Sequence, residues 1–178
     1  IRSEIKRQSI GHLVDYEHKL QRLVADMQRR GMRIDVAYAE QLAEQMTQEE
    51  ERCKKIAKDL GVLNVNATRE IAVALQQLGV ELTETTQKSG DLKVDKMILT
   101  TIANDPSLGK ACDLANAIMS AKNNAKWRDA YVIGSLELMD SNNRVHPFIN
   151  TVGARTARFS VSLPPLQQLP SGNDAIRR

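Results

Sequence analysis

Arg155, Thr156, Arg158 and Ser160 fall within one short stretch, and Gln167 and Gln168 follow between Pro164-Pro165 and Pro170. Guanidinium groups present planar forks of donors to phosphates and base edges, while glutamine amides both donate and accept. The flanking prolines stiffen the segment that carries the glutamines. From Ser141 onward Arg144, Arg155, Arg158, Arg177 and Arg178 stand against one acid, Asp174. That local excess suits a phosphate-facing surface, although scattered cations more commonly only face solvent. The net charge of the whole chain, +3 with a pI near 8.9, is too mild to demand a polyanionic partner.

Other candidates lie further upstream. Lys126 and Arg128 sit close together on a helical stretch, where either could meet a phosphate or simply decorate a surface. Asn64 and Asn66 precede a helix; capping by one of them would aim the N-terminal amides and dipole of that helix outward at a phosphate. His146 has no second ligand at metal spacing, and His12 and His18 are wrongly spaced to share a helix face, so no metal site is expected. Asp174 alone cannot form an acidic catalytic pair within 141–178, and no catalytic residue is assigned. Cys53 and Cys112 are far apart and are expected to be buried reduced thiols.

These residues need elements to hold them. Ile10, Leu13, Leu20, Leu23, Val24 and Met27 recur at helical spacing before Gly31. Asp35 can cap a second helix with the seam Ala39, Leu42, Met46, Glu49, Cys53, Ile56 and Leu60, a heptad-like stripe with one polar member. From Asp35 to Leu60 it would run about 39 Å. The run Gln48-Glu49-Glu50-Glu51-Arg52 reads as a solvated face. A helix over 68–78 closes at Gly79, a polar exposed loop occupies 80–93, and a short helix covers about 95–103. Asp105-Pro106 predicts the cap and first turn of a long helix reaching towards Met139 with a bend near Gly134 and Trp127 in its core. Residues 144–150 and 155–160 read as two short strands with Gly153 in the turn between them. The fold class is therefore mainly α (α+β), a helical arm followed by a short β-hairpin.

With 42% hydrophobic and 26% charged residues but only 3% aromatics, the chain suits a folded protein with an aliphatic core. No apolar run approaches the roughly 20 residues of a membrane span. The missing initial Met and the ending on Arg177-Arg178 suggest a piece of something longer.

The order of motifs adds to this reading. Arg144-Val145-His146, then Thr156-Ala157-Arg158-Phe159-Ser160, then Pro164-Pro165-Leu166-Gln167-Gln168-Leu169-Pro170 resembles the G-R-[IV]-H, T-G-R-L-S-S and P-N-L-Q-N-I-P run of family A DNA polymerases, relatives of bacterial DNA polymerase I. Residues 16–35 resemble the family helix that ends in G-[VM]-x-[IV]-D. Leu63-Asn64-Val65-Asn66 is similar to F-N-[LI]-[NS]-S, and Lys88-Ser89-Gly90 to the K-T-G of the thumb tip. Ala125-Lys126-Trp127-Arg128 with Tyr131 resembles A-K-L-K-x-x-Y.

The resemblance implies a helix at the base of thumb and palm (1–34), a thumb-like helical subdomain (35–140) and the start of a palm (141–178). It implies a DNA-directed DNA polymerase as parent, a bacterial-cytoplasmic or phage-encoded and monomeric enzyme that binds primer–template duplex DNA and dNTPs. Its Mg²⁺-holding aspartates would lie beyond Arg178, so this segment would grip DNA without performing chemistry. The implied DNA-binding residues are Arg158, Gln167, Arg128, Arg155, Thr156, Asn64, Asn66 and Lys126. Arg158 would reach minor-groove acceptors that every correct base pair presents; the plainer alternative is a surface arginine on an edge strand. Ala157, Val161, Leu163 and Pro165 depart from the family pattern, and Pro165 removes the asparagine whose contact would otherwise be carried over. Arg155 is an added cation, closer to phage-encoded members. The alternative function is a non-catalytic helical nucleic-acid-binding or adaptor module.

Overall fold

The computed structural model describes residues 7, 8, 11–85, 90, 92–156 and 158–177, so the Lys88-Ser89 pair of the presumed thumb tip lies outside the described residues. The chain divides into two units, one formed by 1–40 with 130–178 and the other by 41–129. The architecture is mostly helical with short antiparallel strands.

In the unit formed by 41–129, the core is aliphatic as expected. Ile71, Leu75, Leu114 and Ile118 are fully buried, with Val62, Ala57, Ala111 and Ala115 around them. Burying each of the larger side chains contributes about 1.5–3 kcal/mol relative to exposure. The core of this unit draws on α2 (Val36–Asp59), which begins in the other unit, α3 (Thr68–Gln77), α4 (Lys96–Ala103, with Leu99 and Ile102) and α5 (Lys110–Trp127), while Val62 comes from the turn after α2. The alanines of α5 leave room for α4 to pack closely against it. Glycine ends both α2 and α3. Gly61 takes a φ of 93° so that its N–H reaches the Lys58 carbonyl at 3.0 Å and the Val62 N–H reaches that of Ala57 at 2.9 Å. This paired closure satisfies carbonyls that the helix end would leave open.

Four expectations differ from the structure in this part of the chain. The run 48–52 is not a wholly solvated face, because Glu50 is only 6% exposed. It has ion-pair partners in Lys54 and Arg128 that make burial tolerable. The long helix from Pro106 is interrupted: Pro106–Leu108 is a 3₁₀ turn, Gly109 breaks the chain at φ 51°, and α5 starts afterwards. At its far end α5 passes into a π-helical stretch, Arg128–Ile133, before the short α6 (Gly134–Glu137). Trp127 is half-buried rather than in the core, and Cys112 is likewise only half-buried, whereas Cys53 is buried.

In the unit formed by 1–40 and 130–178, α1 (Gly11–Arg30) ends at Gly31, whose φ of 62° is the left-handed stop. Its apolar spacing predicts the helix correctly but not its burial. Val24 is buried, while Leu13, Leu23 and Met27 are exposed; Ile10 lies outside the described residues. β1 (Met32–Arg33) pairs antiparallel with β2 (Arg144–Val145), Met32 opposite Val145. β3 (Phe148–Asn150) pairs antiparallel with β4 (Ser160–Ser162), Ile149 opposite Val161. The expected strand over 155–160 is thus shorter and later, and Arg155 and Arg158 stand in the link before it. A 3₁₀ turn, Leu166–Gln168, and α7 (Asp174–Arg177) complete the unit.

Candidate nucleic-acid interface

The link between β3 and β4 is shaped at its base by small polar contacts. Asn150 accepts through Oδ1 from the Val152 N–H at 3.0 Å, which starts the turn. A Cβ on Gly153 would stand 2.6 Å from Ser160 Oγ and 3.0 Å from Asn150 Nδ2, so glycine allows the link to fold tightly against β4. Gln21 of α1 donates through Nε2 to Thr151 Oγ1 at 2.6 Å and ties the same base to the helix. Above it, Arg155, Thr156 and Arg158 are exposed. Among the described residues no carboxylate pairs with either guanidinium. Two uncompensated planar cations and a hydroxyl on one link form the arrangement that can meet phosphate oxygens or base-edge acceptors.

Gln167 lies in the middle of the following 3₁₀ turn and is exposed. The turn is closed by Leu166 N–H to the Pro164 carbonyl and Gln168 N–H to the Pro165 carbonyl, each 2.9 Å. Pro164 is fully buried and follows Leu163 through a cis peptide bond. From the π-helical stretch, the buried Tyr131 donates its phenol to the Gln168 carbonyl at 2.7 Å.

Arg144 and His146, on either side of Val145, are fastenings of the same unit. Arg144 donates through Nε to the Arg30 carbonyl at 2.6 Å and through a terminal nitrogen to that of Gly31 at 3.2 Å. It therefore caps the C-terminal end of α1, where a cation also suits the helix dipole. His146 Nδ1 lies 2.7 Å from the Gln28 carbonyl and Nε2 lies 3.2 Å from Asp140 Oδ2.

The remaining candidates belong to the other unit. Lys126 is exposed on α5. Arg128 directs Nε to Asp129 at 2.8 Å, and one terminal nitrogen to Thr47 Oγ1 at 3.2 Å and to Glu50 at 2.5 Å. The Asp129 bond, acting against burial and together with Glu50, raises the hold of the guanidinium on its proton. Burial pushes the Glu50 carboxyl up, but Lys54 and Arg128 together outweigh it and hold the group below its usual range.

Neither Asn64 nor Asn66 caps α3. The residue before that helix is Ala67, with no side-chain cap. Asn64 Oδ1 instead accepts from the Asn66 N–H at 2.9 Å, a local turn that competes with capping. The carboxylate of Glu70, in the first turn of α3, takes the Leu63 and Asn64 N–H groups at 3.1 and 3.0 Å. A carboxylate near the helix start already answers its dipole.

Glu50, Glu70 and the Tyr131 tie were not assigned roles from the sequence. The one local signal was the spacing of Glu50 and Lys54, four residues apart on a helix. No group of three or more His, Cys, Asp or Glu side chains among the described residues could hold a metal ion.

The exposed Arg155, Thr156, Arg158 and Gln167 all lie in the unit formed by 1–40 and 130–178, a set of donors able to meet a polyanion. The family model for DNA polymerase family A matches residues 35–178, and the chain belongs to that family. It is 36% identical over 167 residues to the DNA polymerase of Mycobacterium phage D29, a match covering 93% of this chain and 27% of the relative. It is 25% identical over 170 residues to DNA polymerase I of Synechocystis, covering 93% of this chain and 17% of the relative. The POL domain of Pol1 from M. smegmatis, solved in complex with DNA primer-template and dNTP, shares the fold with a TM-score of 0.74 at 21% identity. That likeness covers 90% of this chain and 28% of the solved one. The chain thus spans roughly a quarter of the phage relative it matches. Family members use divalent metal ions. No described helix is long and apolar enough to cross a membrane.

Proposed function

We propose that this chain is the thumb and early-palm segment of a DNA-directed DNA polymerase, and that it holds primer–template duplex while the complete enzyme adds dNTPs to the primer 3′ end. The observation that carries the reading is the exposed set Arg155, Thr156, Arg158 and Gln167, uncompensated by carboxylates, in a chain of this family. Arg158 donates to minor-groove acceptors common to all correct pairs, so pairing is sensed without sequence being read. Gln167 meets the duplex near the growing end, and Arg155 and Thr156 meet phosphate. In the other unit Lys126 serves as a phosphate contact. Arg128, Asn64 and Asn66 take a lesser part, because Arg128 and Asn64 already direct polar atoms at the chain itself. The metal is Mg²⁺, held by aspartates outside this segment, and the enzyme acts as a monomer.

Phosphate-led binding releases counterions and weakens steeply with salt. Titrating labelled primer–template with the isolated chain at two salt concentrations is expected to show weak, sequence-independent, salt-sensitive binding. Adding dNTPs and Mg²⁺ is expected to give no primer extension. Salt-independent affinity, or extension by the purified chain, would overturn the reading.

A further inference from the structure

We infer that Tyr131 is a positioning residue for Gln167, acting through the Gln168 carbonyl; this rests on the proposed contact between Gln167 and the duplex. A glutamine amide that must meet one acceptor or donor on DNA loses little entropy on binding only if its backbone is already fixed. The turn that carries Gln167 is three residues of 3₁₀ helix, and the backbone hydrogen bonds that close it, including Leu169 N–H to the Leu166 carbonyl at 3.4 Å, stay inside the run 164–169. Those bonds shape the turn but do not fasten it to the rest of its unit.

Tyr131 supplies a fastening. Its ring is buried at 8% exposure, its phenol reaches the carbonyl next to Gln167 at 2.7 Å, and its own carbonyl accepts from the buried Ser135 hydroxyl at 2.5 Å. The donor is thus held at both ends, with the π-helical stretch as its mount. The same chemistry recurs further along the run, where the Tyr38 phenol donates to the Ala175 carbonyl at 2.9 Å. Two of the three tyrosines of the chain therefore donate to backbone carbonyls of the last eleven residues. Phenylalanine at 131 would fill the same space and keep the packing, but would leave the Gln168 carbonyl without this donor.

The test uses the full-length polymerase and three variants: Tyr131→Phe, Gln167→Ala and the double substitution. The rate of single-nucleotide addition is measured over a range of primer–template concentrations. Gln167→Ala is expected to lower the efficiency of addition, and Tyr131→Phe to lower it about two- to tenfold, the range for one hydrogen bond. The double variant is expected to fall no further than Gln167→Ala alone, since a tie that works through Gln167 has nothing left to position. If Gln167→Ala is impaired while Tyr131→Phe is not, the positioning role is overturned and the Gln167 contact stands. If the two losses multiply in the double variant, Tyr131 supports the fold generally and the inference fails. If Gln167→Ala is unimpaired, the Gln167 contact itself fails and takes the inference with it.

Discussion

The His146 imidazole lies 3.2 Å from the Asp140 carboxylate through Nε2, while its other nitrogen faces the Gln28 carbonyl at 2.7 Å. With an acceptor at each nitrogen, the doubly protonated ring is favoured. The Gln28 bond first, and the Asp140 bond second, raise the His146 pKa above its ordinary 6.5. The Arg144 N–H chiefly, with His146 adding to it, holds the Asp140 carboxyl below its ordinary 3.8.

The signs give a pH window. A histidine raised in the fold contributes stability fully below its unfolded value and loses it as pH rises through the higher folded value. A depressed carboxyl contributes above its unfolded value and loses that as pH falls through the folded one. The pair therefore stabilises this unit most between the two ordinary values, 3.8 and 6.5, and less as the solution turns alkaline. Thermal melting from about pH 5 to about pH 9 is expected to show a decline on the alkaline side that His146→Gln abolishes. An identical decline in the variant would remove His146 as its source.

Gly31 sits under the same histidine. A Cβ there would stand 2.5 Å from the Val145 carbonyl oxygen and 2.8 Å from His146 Nδ1, at a φ of 62°. The left-handed backbone alone costs an alanine about 1–2 kcal/mol, and the clash with the carbonyl adds to that. Gly31→Ala is expected to lower the midpoint of chemical denaturation clearly, whereas Gly11→Ala, with open space around it, is expected not to. Equal behaviour of the two would argue against the close approach of the strand to the helix end.

How much of this was legible in the sequence depended on the range of the interaction. Helix stops at Gly31, Gly61 and Gly79 were readable because φ and the local chain decide them. The apolar spacing of 11–30 predicted a helix, but burial of Leu13, Leu23 and Met27 did not follow, since periodicity states a face and not what covers it. Asn64 and Asn66 were misread because Ser, Asn and Asp side chains satisfy a turn as readily as a helix start. The burial of Glu50 was hidden because its partner Arg128 is 78 residues away. The cationic link was legible by composition, but its strand was placed too early because Gly153 and Asn150 shape a longer turn than a tight hairpin.

The ion pair between Glu50 and Arg128 makes a separate prediction. Glu50 is nearly buried and keeps Lys54 as a second partner, so removing Arg128 leaves it only partly compensated. Arg128→Ala is expected to cost about 1–3 kcal/mol in denaturant unfolding, below the 3–5 kcal/mol of a wholly abandoned buried charge. Arg128→Lys should recover part of this, having the charge without the fork. Since the Glu50 carboxyl is held low, its contribution is present above its ordinary 4.5 and fades as pH falls through the depressed value. Unchanged stability of Arg128→Ala at neutral pH would reduce the pair to a surface contact.

Arg158 provides the sharpest test of the proposed DNA contact, in the full-length polymerase. If it reaches a minor-groove acceptor of the primer-terminal pair, Arg158→Ala should cost about 1–3 kcal/mol in transition-state stabilisation of extension. Matched ends should slow more than mismatched ones, because a mismatch already displaces the acceptor. DNA affinity should change little, since phosphate contacts elsewhere remain. Arg158→Lys should rescue in part, as the point charge survives and the fork does not. The comparison variant matters. Arg144 is unsuitable, because its guanidinium holds the Arg30 and Gly31 carbonyls and its loss would loosen α1. Arg155, exposed on the same link, is the appropriate control for charge alone. Arg155→Ala should weaken binding evenly for matched and mismatched ends and flatten the salt dependence. Equal losses for the two variants, or an undiminished preference for matched ends in Arg158→Ala, would reduce Arg158 to an ordinary surface cation.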